Sequence, residues 1–237
     1  MLNNSSADLA AVKPKDAASL LLYRTNLGKD EVLMGRRPSK SSFMPGVYVF
    51  PGGAVDTCDA RAKPSTTLQK NYSEHMAVGG SAARAQTIAM AAVRETFEET
   101  GILITRPGNP GAVKDESWQA LASQGVSADL SVLKYFGRAT TPADQPKRFN
   151  ARFFICNAAD VKDLNPDNLK NNDELLDLRW VPISNPDDLP LRRVTAFLLK
   201  ELDIWLNRRS DWQGYPMFTQ RSGKPQILRS GIVGSPE

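Results

Sequence analysis

Two spacings of apolar residues alternate along this chain. Ala17–Arg24 is a nearly unbroken apolar run, and Glu31–Arg37 is a second; both read as strands. Between them Thr25-Asn26-Leu27-Gly28-Lys29-Asp30 carries turn residues, which predicts a hairpin. Residues 38–45 form a Ser/Pro/Lys loop, and Val47–Phe50 is a third strand closed by Pro51-Gly52-Gly53. The pattern lapses from Asp56 to Gly80, a polar stretch with Pro64 and a Gly-Gly pair, which reads as an insertion holding a short helical piece. The spacing then turns helical. Ser81 is placed to cap a helix running to Thr100, with Ala89, Ala92, Val93, Thr96 and Phe97 on its inward arc and Gly101 as its left-handed stop.

Beyond the helix, Ile102–Thr105 reads as a strand, and residues 106–132 are Pro/Gly-rich with a weak helix at Trp118–Ser123. Tyr135–Thr140 and Arg148–Cys156 alternate like paired strands, and Leu175–Val181 is another. Leu189–Leu206 has helical spacing, with Val194, Phe197, Leu198 and Trp205 inward. After Trp212 the chain is polar apart from Ile227-Leu228. This order of elements predicts one α/β domain, a mixed sheet between helical layers. The expected divisions are a flexible segment at 1–15, the domain at 16–210 with its insertion at 57–80, and a C-terminal extension at 211–237.

The bulk composition narrows the chemistry. At 237 residues, 41% hydrophobic and 24% charged, the chain has the make-up of a globular protein with one substantial core. The net charge of +4 comes from scattered bases, which favours a solvated surface with a few phosphate contacts over nucleic-acid binding. Only Cys58, Cys156 and His75 are available as thiol or imidazole ligands. That excludes zinc fingers, His-ligated zinc hydrolases and Ser-His-Asp or Cys-His catalysis. There is no apolar stretch of membrane-spanning length and no apolar core to the N-terminus, so no membrane partner is expected, and the location expected is cytoplasmic with reduced thiols. A homodimer is compatible with the sequence.

The most informative segment is Arg94-Glu95-Thr96-Phe97-Glu98-Glu99-Thr100-Gly101-Ile102. Glu95, Glu98 and Glu99 share one helical face, roughly 5–6 Å apart at Cβ, and should raise one another's pKa values. They also sit in the last turn, at the negative end of the helix dipole, where each acid costs about 0.3–1 kcal/mol. A hard divalent cation bound through carboxylate oxygens is the simplest reason to concentrate acids there. A solvated helix face is the bland alternative, but only Arg94 is nearby to compensate three acids.

These residues, with Phe50-Pro51-Gly52-Gly53 before them, resemble the box of the Nudix hydrolase superfamily, whose helical half needs Arg, three Glu and Gly in fixed register. Thr96 replaces the usual apolar residue. The acid that precedes the helical half in the box corresponds either to Asp59, 35 positions before Arg94, or, if the helix register is kept, to Gln86. The first alternative implies about 27 residues inserted within the box. Such an insertion, together with 43–53 and Phe149-Asn150-Ala151-Arg152-Phe153-Phe154, is similar to the subgroup containing the mammalian peroxisomal coenzyme A diphosphatase. A coenzyme A signature is matched in part by Leu21-Leu22-x-Arg24 and Gly46-x-x-x-Phe50, with Ser42 where an arginine is expected.

The resemblance implies a Nudix-type α/β/α sandwich. It also implies Mg²⁺- or Mn²⁺-dependent hydrolysis of a diphosphate in a nucleotide-derived small molecule, with coenzyme A or an acyl derivative as the first choice. ADP-ribose, a dinucleotide or a nucleoside triphosphate is the alternative, and a nucleotide sensor without catalysis is a further class. Glu95, Glu98 and Glu99 would hold the metal, with a backbone carbonyl at Gly53. Arg94 would orient Glu98, and Glu174 is the candidate general base, with Asp173 behind it. Arg24, Arg36, Arg37 and the close-approach Gly52 would contact substrate. Arg138, Lys147, Arg148 and Arg152 form a second basic set.

Overall fold

The computed structural model describes residues 12–41, 44–162, 164, 169, 173–186, 189–221 and 224–231. Ser42, Phe43 and most of the expected flexible segment 1–15 lie outside them. In chain order the elements are β1 (Lys15–Asn26), β2 (Lys29–Arg36), β3 (Tyr48–Val49), β4 (Gly52–Ala54), α1 (Thr57–Arg61), α2 (Tyr72–His75) and α3 (Ala82–Thr100). There follow β5 (Thr105–Pro107), α4 (Glu116–Ser123), β6 (Val126–Ala128), β7 (Lys134–Thr140), β8 (Phe149–Asn157), β9 (Leu176–Pro182), α5 (Arg193–Asn207), β10 (Tyr215–Arg221) and β11 (Lys224–Ser230).

The run from Ala17 to Tyr23 is apolar on both sides because β1 lies inside the sheet. It pairs antiparallel with β2 and β4 and parallel with β8. Leu20 and Leu22 face one core with Ile88, Ala92, Trp118 and Phe154; Leu21 and Tyr23 face the other with Met34, Leu198 and Leu202. A strand covered on both faces has no polar side to show, which removes the period-two alternation. The hairpin turns at Leu27-Gly28, both with positive φ (49° and 76°), as a two-residue connection between right-twisted strands requires. The sheet order is β11-β10-β7-β8-β1-β2-β3, with β4 joined to β1 and β9 to β2. With parallel pairs at β1–β8 and β7–β10, the sheet is mixed. Helix α3 and the inserted helices pack on one face and α5 on the other, giving the expected α/β class and sandwich.

Several elements differ from the expectation. The strand expected at Ile102–Thr105 begins only at Thr105, and β5 pairs with β6 in a separate two-stranded ribbon. Ile102 and Ile104 are spent on the core instead, after Gly101 turns left-handed (φ 74°) and donates its N–H to Phe97. The last helix starts at Arg193, not Leu189: the Pro190 carbonyl accepts from Tyr48 N and Leu191 bridges to Tyr48, so that stretch serves the sheet edge. Trp205 is half-buried beneath the Arg209 guanidinium (4.6 Å). The polar tail forms the hairpin β10–β11 and extends the sheet through β7. An edge hairpin with most of β11 in water needs no apolar period.

The insertion is tied down at both ends. Asp56 caps α1 with a reciprocal box to Asp59. Arg152 is not a surface base: its residue is 1% exposed, it pairs with Asp16, and its Nε donates to the Met76 carbonyl at 3.0 Å. Asp129 gathers Thr66, Ser131 and Arg106.

Candidate metal and phosphate site

Helix α3 ends against the turn that joins β3 to β4. Gly52 and Gly53 pair with Ser19 and Ala18 of β1, so the turn lies flat on the sheet beneath the helix end. A Cβ on Gly52 would run into the Ala18 carbonyl, and one on Gly53 would overlap the Glu95 carboxylate. The turn is therefore glycine because the sheet and an acid occupy the space of its side chains.

Glu99 is 3% exposed, and its Oε2 accepts the Gly52 N–H at 2.7 Å. Burial pushes its pKa up to about 8 against that hydrogen bond, with further help from the charges of Glu95 and Glu174. Glu95 is pushed up to about 7, first by burial, opposed by Arg94 and assisted by Glu98. Mutual repulsion was the expected cause; removal from water is the larger one. Glu98 is the outermost of the three. Its Oε2 accepts from Arg94 Nη1 at 2.9 Å and its Oε1 from Ser117 Oγ at 2.7 Å.

Arg94 is almost fully buried and carries more than the Glu98 contact. Its Nε and Nη2 donate to the two oxygens of Asp59 at 2.8 and 3.1 Å, Nη2 also to the Ala54 carbonyl, and Nη1 lies 2.9 Å from Glu95. These bonds hold its pKa above the ordinary guanidinium value although burial alone would lower it. Between the two candidates for the preceding acid, it is Asp59 that meets Arg94; Gln86 is half-buried two turns earlier on α3.

Glu174 and Asp173 line an open acidic cleft of about 490 Å³ with Glu98, Asp115, Glu116 and Ser117. Glu174 is near enough to bear on Glu99 electrostatically, as is Arg37, whose Nη2 also donates to Ser41 Oγ at 2.9 Å. Arg36 is held in mid-sheet between Tyr48 and Leu176, where its charge reaches Asp177. Arg24 is elsewhere: it bonds Glu31 at 2.8 Å and lies 4.4 Å over Trp180, five residues or about 17 Å along β1 from the residue facing Gly52. The structure thus brings together Gly52, Gly53, Arg94, Glu95, Glu98, Glu99, Glu174 and Arg37, and leaves Arg24 apart. Asp59 as the Arg94 partner and Ser117 as the Glu98 donor are contacts between segments distant in sequence; only the N-cap spacing from Asp115 to Trp118 marks where α4 begins.

Among the described residues no three His, Cys, Asp or Glu side chains already converge as a ligand set. The chemistry of the donors still fits a hard cation. Glu95, Glu98 and Glu99 offer oxygen only, at one helix end, and two of them have pKa values raised by burial that a divalent ion would relieve.

The NUDIX domain family model matches residues 13–202. A crystal structure of a NUDIX hydrolase from Alicyclobacillus acidocaldarius superposes with a TM-score of 0.62 at 30% identity, covering 81% of this chain and 92% of that one. A Caenorhabditis elegans protein named "Putative nudix hydrolase 7" is 30% identical over 154 residues, 60% of this chain and 43% of its own length. The Xenopus laevis protein "Acyl-coenzyme A diphosphatase NUDT19" is 33% identical over 107 residues, 36% of this chain and 28% of its own. The chain therefore spans less than half the length of these two curated relatives. With the family model matched over residues 13–202 and a 30% identical structure covered over 92% of its length, this chain belongs to the Nudix family.

Proposed function

We propose that the protein is a Mg²⁺- or Mn²⁺-dependent pyrophosphohydrolase that cleaves the diphosphate of a nucleoside diphosphate derivative, coenzyme A or an acyl-coenzyme A first. The observation that carries this reading is the cluster at the end of α3: a buried Glu99 and a half-buried Glu95, both with raised pKa values, and a Glu98 bound by Arg94 and Ser117. The coenzyme A assignment draws on the partial signature around Arg24 and Gly46 and on the similarity to acyl-coenzyme A diphosphatases.

Glu95, Glu98 and Glu99 would hold the metal, with the Gly53 backbone beside them. The bound ion would neutralise the diphosphate and lower the pKa of a coordinated water. The protein's own part is positional. Gly52 spends its N–H on Glu99, so its role is to hold that ligand, and the substrate phosphates would be met by Arg37. Arg94 orients Glu95 and Glu98 through its Nη1. Glu174, which lines the same cleft as Glu98, is the proposed general base that takes the proton of the attacking water.

The test is incubation with Mn²⁺ and a panel of coenzyme A, ADP-ribose, diadenosine polyphosphates and nucleoside triphosphates, with products identified by mass. Phosphopantetheine and adenosine 3′,5′-bisphosphate are expected from coenzyme A, and none from Glu98→Gln. Cleavage of another panel member with coenzyme A intact would move the substrate assignment and leave the reaction class; no cleavage of any would sink the enzymatic reading.

A further inference from the structure

Burial orients Glu95 and Glu99, but the Glu98 side chain is 29% exposed against 12% for Glu95. A carboxylate that far into solvent samples several rotamers unless hydrogen bonds fix it. Arg94 supplies one bond to Oε2, yet the same guanidinium also serves Asp59, Glu95 and the Ala54 carbonyl. The bond to Oε1 comes from a different element, the first turn of α4.

That turn is held firmly. Asp115 caps it, accepting Trp118 N at 3.0 Å. Trp118 has no exposed surface, and its indole Nε1 donates to Asp59 Oδ1 at 3.3 Å. Asp59 in turn holds Arg94, and Arg94 holds Glu98. The contacts close a ring: Glu98 to Arg94, to Asp59, to Trp118, to its neighbour Ser117, and back to Glu98. Ser117 is half-buried between this ring and the acidic cleft.

We propose that Ser117 is a positioning residue that fixes the Glu98 carboxylate for metal binding, so that a segment outside the acidic motif sets the metal affinity of the motif. This inference rests on the metal-dependent reading of the site. A group that hydrogen-bonds a ligand carboxylate typically contributes about 10–100-fold in metal affinity or activity, and a half-buried serine away from the main core contributes little to folding.

The experiment is an Mn²⁺ titration of the full chain, followed by calorimetry or by the loss of free-ion paramagnetic resonance signal, for wild type, Ser117→Ala and Ser117→Thr. Thermal midpoints are measured alongside. Ser117→Ala should weaken Mn²⁺ binding about tenfold with a midpoint within about 2 °C of wild type. Ser117→Thr, which keeps the hydroxyl, should bind within about twofold of wild type. Wild-type affinity in the alanine variant would overturn the proposal, as would a threonine variant as weak as alanine or a large fall in midpoint with alanine. Failure of wild type to bind Mn²⁺ at all would instead remove the metal reading on which it stands.

Discussion

Gly53 has an acid where its side chain would be, and that makes it a sharp probe. In Gly53→Ala the added methyl meets the Glu95 carboxylate, which must swing aside, while β4 keeps its pairing to β1 through backbone atoms. The expected result is a thermal midpoint close to wild type, with Mn²⁺ binding and hydrolysis both reduced at least about tenfold. The same carboxylates should make metal uptake depend on pH. With Glu95 and Glu99 raised to about 7 and about 8, the metal-free native state holds protons that the unfolded chain has released by about pH 5. Metal must displace those protons. Mn²⁺ affinity should therefore rise between about pH 6 and pH 8 with proton release, seen as a calorimetric heat that varies with the ionisation enthalpy of the buffer.

At the scale of elements, α1 is the part of the insertion that reaches the site. Asp59 has no exposed side-chain surface and is paired bidentately with a nearly buried Arg94. Asp59→Ala leaves that guanidinium short of a partner and should cost about 3–5 kcal/mol, read from urea unfolding. The helix and its acid triplet were legible in the sequence because every part of that signal is local: a cap at Ser81, a stop at Gly101 and three acids within one and a half turns. Asp59 was only one of two alternatives for the acid before the helix, and its pairing with Arg94 was not legible, since 35 positions separate the partners and no periodicity spans an insertion. Ser117 was invisible, because a serine at the start of a short helix has meaning only once α4 is docked on α3. The C-terminal hairpin escaped for the opposite reason: its strand β11 is largely in water, so its sequence carries no alternation to read.

For the whole molecule, two trends in charge oppose each other. Glu95 and Glu99 have raised native pKa values, so in the absence of metal they destabilise the fold as pH climbs from about 4.3 towards 8. Asp16 and Asp129 are held below the usual carboxylate range. In each case burial works the other way and is outweighed by hydrogen bonds, from Arg84 and Arg152 to Asp16 and from Ser131, Thr66 and Arg106 to Asp129. Their stabilisation is complete above the unfolded value of about 3.9 and is lost as pH falls through the native value. The metal-free protein should therefore be most stable near about pH 5, by urea midpoints across the range. Saturating Mn²⁺ should lift the neutral side, and Asp16→Asn with Asp129→Asn should flatten the acid side.

The inserted stretch is fastened at each end, and Thr66 ties its middle to Asp129. Its first helix is clasped through Arg94, while Arg152 grips the carbonyls of Met76 and Ala77. Gln69, Lys70 and Asn71 lie on the outside. A protease that severs the chain after Lys70 should leave two fragments that travel together through gel filtration and still take up manganese, because Asp59 still pairs with Arg94 and β1 with β8 across the cut. A motif split along the chain is, in three dimensions, whole enough to survive being cut.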